Sequence, residues 1–108
     1  MEKYKLSDMP GGWFIGHFEP SLFKTNDFEV AVKTYRRGDF EKNHFHKIAT
    51  EFTVIVQGKV KMNGNVYVSG DIIRILPNTS TNFQALTDVS TVVVKVPSAT
   101  NDKFFTNE

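Results

Sequence analysis

GDFEKNHFHKIATEFTVIVQG, residues 38–58, holds His44 and His46 one residue apart, Glu51 five positions later, and a glycine at each end. In a β-strand, side chains two apart point to the same face. The two imidazoles therefore face the same way, roughly 6.6 Å apart along the strand. A short turn over Lys47–Thr50 would bring the chain back antiparallel, with Glu51 on that same face. Two imidazoles and a carboxylate converging from two strands make a site for a divalent first-row metal.

Working outward, the pattern is strand after strand. Val, Ile, Thr, Phe and Tyr recur, with turn residues about every ten positions. Strands are expected at Trp13–Phe18, Phe28–Tyr35, Asn43–His46, Glu51–Gln57, Lys59–Met62, Asn65–Val68, Ile72–Leu76, Thr81–Ala85 and Ser90–Val96. Asn63-Gly64 between two short strands is the strongest hairpin signal, because both turn positions need φ > 0. Residues 1–12 read as an irregular arm, and 99–108 as a polar tail or one short helix starting near Ser98. This adds up to a single all-β domain over 1–108, a sandwich or small antiparallel barrel with its core at about 28–96.

The chain has 108 residues, 40% apolar and 23% charged, the make-up of an ordinary globular domain. Thirteen basic and 12 acidic residues leave a net charge of +1, with no electrostatic reason to expect nucleic acid or an anionic membrane as partner. No cysteine is present, so thiolate metal sites, disulfides and thiol nucleophiles are excluded. The N-terminus has no apolar signal region, and a cytoplasmic location is the default expectation.

With the pattern Gly38, His44-x-His46, Glu51, Gly58 on the page, the segment resembles the first cupin motif at all five fixed positions. Gly70-Asp71 and the apolar run to Leu76-Pro77-Asn78 are similar to the opening of the second motif. The resemblance implies a cupin: a small β-barrel or jelly roll, a single bound metal ion (Fe, Mn, Ni or Zn), a small-molecule ligand, and a homodimer paired through sheet faces. The family's usual fourth ligand, a histidine, falls at Thr81, or at Asn82 if the register shifts by one. Neither is a strong first-row ligand. The metal set is then His44, His46 and Glu51. His17 lies outside both motifs and reads as a surface or lip residue.

Thr81 and Phe83 are the candidate substrate-contacting residues, with Phe83 also serving as packing. Lys33, Tyr35 and Arg37 share one strand face. The expectation is that this face is solvated; were it internal, Tyr35 would be a candidate catalytic proton donor. Asp39 and Glu41 are expected in a loop at the rim. Three functions stay open: a metal-dependent enzyme of dioxygenase, isomerase or lyase type on a small polar or sugar-like molecule; a non-catalytic sugar or sugar-nucleotide binding module; and a structural dimer with a vestigial site. The last predicts an interior packed shut by Phe83 and Ile55.

Overall fold

The protein is described by a computed structural model over residues 1–106. Ten strands form: β1 (Trp13–Ile15), β2 (Glu29–Tyr35), β3 (Phe40–Phe45), β4 (Thr50–Gln57), β5 (Lys59–Met62), β6 (Asn65–Val68), β7 (Ile72–Ile75), β8 (Thr81–Ala85), β9 (Val89–Val96) and β10 (Phe104–Phe105). They make two antiparallel five-stranded sheets, ordered β1-β2-β9-β4-β7 and β10-β3-β8-β5-β6. The all-β expectation holds, as two separate sheets instead of a closed barrel. No helix among the described residues is long and apolar enough to cross a membrane.

Alternation sorts each strand. In the first sheet, register aligns Glu29 with Lys95, Lys33 with Thr91, and Glu51 with both Lys95 and Ile75. Side chains of this row face the second sheet, and their neighbours Val30, Val32, Phe52, Val54, Val92 and Val94 face outward. At one end, Ile55, Val60, Met62, Ile75, Phe83, Ala85 and Val89 close into a buried apolar cluster. At the other end the inward residues are polar, and the sheets enclose a cavity instead.

The Asn63-Gly64 hairpin forms as expected, with φ of 49° and 81°. Gly58, which closes the motif, has φ +99°, and a Cβ there would lie 2.3 Å from the Asp88 carbonyl oxygen. Both constraints call for glycine.

Four boundaries differ from expectation. β3 begins at Phe40, three residues before the expected Asn43. The first strand stops at Ile15, and the chain bends through residues 16–20. The arm contains two short 3-10 turns, Leu6–Asp8 and Pro10–Gly12. The supposed tail returns as β10, with Phe104 beside Phe45 and Phe105 beside His44. Two residues carry too little pattern to be read as a strand; their pairing partner makes them one.

Candidate metal centre and cavity

β3 presents His44 and His46, and the turn after it brings β4 back with Glu51 on the same side. One ligand atom from each of the three lies within 4.8 Å of the others. His44 and His46 are 9% and 5% exposed, so the site is almost dry. His17 is exposed and outside this group.

Hydrogen bonds fix what each imidazole offers. His44 Nδ1 lies 2.9 Å from the Lys42 carbonyl oxygen, and His46 Nδ1 lies 2.6 Å from the Asp102 carbonyl oxygen. A carbonyl only accepts, so each Nδ1 carries a proton, and in the neutral ring Nε2 keeps the lone pair. His46 Nε2 is buried with no hydrogen-bond partner. It sits 3.3 Å from Glu51 Oε1, close in space but outside hydrogen-bonding geometry. Thr53 Oγ1 donates to Glu51 Oε2 at 2.7 Å.

Burial pushes the Glu51 carboxyl up, but the neighbouring His46 ring, the Thr53 hydroxyl and Lys95 more than offset it, leaving its pKa below the usual value. Burial lowers the His44 pKa despite the Lys42 carbonyl, which favours the neutral ring. A neutral His44 ring, a His46 ring whose Nδ1 is already committed to a carbonyl, and an ionised Glu51 carboxylate fit a divalent first-row ion. The orphaned His46 nitrogen is the observation that most calls for one.

A cavity of ≈ 330 Å³ opens from this centre, with His44 and Glu51 in its wall. Thr81 pairs with His44 across β3 and β8 and lines the cavity. Asn82 points away, exchanging hydrogen bonds with Asn63. Thr81, not Asn82, therefore occupies the place opposite the histidines. Phe83 lines the cavity too and packs against Tyr35, ring centroids 4.5 Å apart. The interior is not packed shut, contrary to the structural-dimer reading.

Two expectations are corrected. Lys33 and Tyr35 line the cavity instead of a solvated face, while Arg37 falls in the exposed turn after β2. The reason is the register of β2 against β9, which places Lys33 beside Thr91 on the inward row. Glu41 also lines the cavity and is no rim residue. Register shifts between Glu41 and His44: Glu41 meets Phe83, and His44 meets Thr81. That spans three residues on β3 against two on β8, so one extra residue bulges out. The bulge turns both Glu41 and His44 inward, which strict alternation forbids.

Burial, with the Glu41 carboxylate facing it, raises the Tyr35 phenol far above its ordinary pKa, so it stays a neutral donor. The residues that sequence reading missed are Trp13, Glu29, Lys95, Lys103 and Asp102. Asp102 is buried, and its carboxylate accepts the backbone N–H groups of Lys47, Ile48 and Ala49 at 2.8, 3.1 and 2.9 Å. It thus holds the turn between His46 and Glu51 while its own carbonyl orients His46.

No protein-family model and no curated protein matches this sequence. Solved structures match its fold. An uncharacterized conserved protein with a double-stranded β-helix domain from Klebsiella pneumoniae subsp. pneumoniae MGH 78578 superposes with TM-score 0.72 at 17% identity, over 98% of this chain and 92% of that one. DMSP lyase DddQ from Ruegeria pomeroyi DSS-3 gives TM-score 0.70 at 17% identity, over 82% of this chain and 48% of that one. This chain thus spans about half of that lyase. An RmlC-like cupin family protein from Methanocaldococcus jannaschii gives TM-score 0.63 at 18% identity, over 68% of this chain and 73% of that one. What the chain shares with them is its fold, the cupin double-stranded β-helix.

Proposed function

On a cupin scaffold that gathers His44, His46 and Glu51 beside a cavity, we propose that this protein is a divalent-metal-dependent enzyme acting on a small polar molecule. The observation that carries the reading is the pair of bared Nε2 atoms. Both Nδ1 protons are committed to backbone carbonyls, and the buried His46 Nε2 has no other partner. Bound there, Fe, Mn, Ni or Zn would supply Lewis acidity to the oxygen atoms of a substrate.

The chain's own residues divide the remaining work. Thr53 holds Glu51 in one rotamer through Oε2. Tyr35 presents a neutral phenol to the cavity and is suited to donate a hydrogen bond to a substrate oxygen. Glu41, beside it, is placed to accept a proton. Phe83 and Met62 give an apolar floor, and Thr81 a hydroxyl.

A second reading, a non-catalytic binding module for a sugar or sugar nucleotide, draws support from Thr81, which leaves the centre with three ligands. A homodimer is supported by the outer face of the first sheet. Val30, Val32, Phe52, Val54, Val92 and Val94 share it, and Ile72 at its edge is 67% exposed. An apolar sheet face of this kind suits a second copy, and sedimentation velocity checks it.

Elemental mass spectrometry of protein purified without chelator tests the main reading. Near one equivalent of metal, lost in His44→Ala/His46→Ala, is the expected result. A protein that stays metal-free after incubation with each of the four ions would leave the binding module as the better reading.

A further inference from the structure

Lys33, Lys95 and Lys103 line the cavity, and none of them forms an ion pair with a carboxylate among the described residues. This is unusual for Lys95. Its register neighbours on the inward row are Glu29 and Glu51, one on either side. Its ammonium instead stands over the Trp13 ring, 4.9 Å from the centroid. Lys33 stands over the same ring at 5.6 Å and donates to the Gly11 carbonyl oxygen at 3.2 Å. Both ammonium groups thus lie against one indole at the cavity wall.

Two cations at one cavity wall repel each other, and a bound anion relieves that repulsion. The cavity's carboxylates do not pair with them: Glu41 acts on Lys33 without forming an ion pair. Glu19 is tied to Lys24 at 2.9 Å. Glu51 belongs to the metal centre. Burial raises the Glu29 pKa, weakening its hold on a charge. Burial lowers the Lys33 pKa, and Lys103 and Lys95 add to this against the opposing pull of Glu41 and Glu51. A bound divalent ion would add to the positive charge.

We propose that Lys33 and Lys95, held over Trp13, bind the carboxylate of a small anionic substrate whose other, oxygen-bearing end reaches His44, His46 and Glu51. The substrate class is a small organic acid with a chelating head and a separate carboxylate. A cavity of ≈ 330 Å³ is at the small end for ligand sites and suits such a molecule. The chelating head rests on the metal-enzyme reading; the lysine pair does not.

Calorimetric titration of the zinc-loaded protein with malate and with lactate tests this. Both acids have a 2-hydroxycarboxylate head, and only malate has the second carboxylate. Malate should bind roughly tenfold tighter, the scale of one charge-assisted hydrogen bond. Lys33→Gln/Lys95→Gln, compared after zinc loading, should abolish the gap while lactate still binds. Lys33→Arg/Lys95→Arg should keep it. Equal affinities in the wild type, or a gap that survives in the Gln pair, overturns the assignment. Failure to take up zinc, or any of the other three ions in its place, would sink the metal reading instead. Succinate titrated into the metal-free protein then decides the anion site. Binding lost in the Gln pair upholds it, and no binding to the wild type ends it.

Discussion

Asp102→Ala should loosen the metal centre from a position 51 residues away from Glu51 in sequence. In the native protein its carboxylate accepts three backbone N–H groups, from Lys47, Ile48 and Ala49. Ile48 is 59% exposed and Ala49 2%, so removal has unequal effects. The N–H groups of Lys47 and Ile48 can turn to water. That of Ala49 is left buried without a partner, which costs about 1–3 kcal/mol. Losing the charge-assisted character of the others adds on the order of 1 kcal/mol. A total of about 3 kcal/mol corresponds to a fall in Tm of roughly 12 °C or more for a domain of this size. His46 loses its fixed orientation when the Asp102 carbonyl shifts, and metal affinity should drop about 10- to 100-fold.

Thermal unfolding of the metal-free protein measures the first effect, and competition with a fluorescent chelator the second. The pH dependence supplies a further check. Burial alone would raise the Asp102 pKa, but the N–H groups of Ala49, Lys47 and Ile48 outweigh it and lower it. A depressed pKa gives stability that is full above the unfolded value of about 4 and is lost as pH falls through the folded value. The gap between wild type and Asp102→Ala should therefore persist from neutral pH to about 4 and close only below it. An Asp102→Ala protein within 2 °C of wild type (roughly 0.5 kcal/mol) with unchanged metal affinity would refute the reasoning.

Two other outcomes are expected. Tyr35, with its pKa raised by burial and by Glu41, should show no tyrosinate absorbance while the protein stays folded. Because the unfolded chain releases that proton near pH 10 and the native one keeps it, stability should decline with pH above about 10; Tyr35→Phe should flatten that decline. Gly58→Ala forces a side chain into positive φ and against the Asp88 carbonyl, so urea midpoints should report a loss of about 2 kcal/mol or more. A midpoint within error of wild type would show that the β4–β5 connection relaxes freely.

The metal centre was legible because its information is local. Alternation on β3 and one short turn place His44, His46 and Glu51 together whatever the rest of the chain does. The hairpin at Asn63-Gly64 and the strongly β-branched β9 were legible for the same reason. Each depends on a preference that acts within a few residues. The five matching positions of the first motif, and the match to solved cupin folds, agree on the architecture.

Which face of β2 looks inward was a different matter. Lys33 and Tyr35 read as a solvated face because lysine at alternating positions normally marks one. Pairing with β9, some 60 positions on, turned them to the cavity, where Trp13 replaces water beside the ammonium groups. The extra residue in β3 left no mark in its composition, yet it moved Glu41 from the rim into the wall. By itself, then, the sequence determined nine of the ten strands, the turn chemistry and three donor residues, since these rest on period, φ preference and spacing. The tertiary structure alone decided the lysine pair over Trp13, the neutral Tyr35 and the hold of Asp102 on the ligand turn. Those depend on register between distant strands, and register is set by the sum of contacts across two sheets.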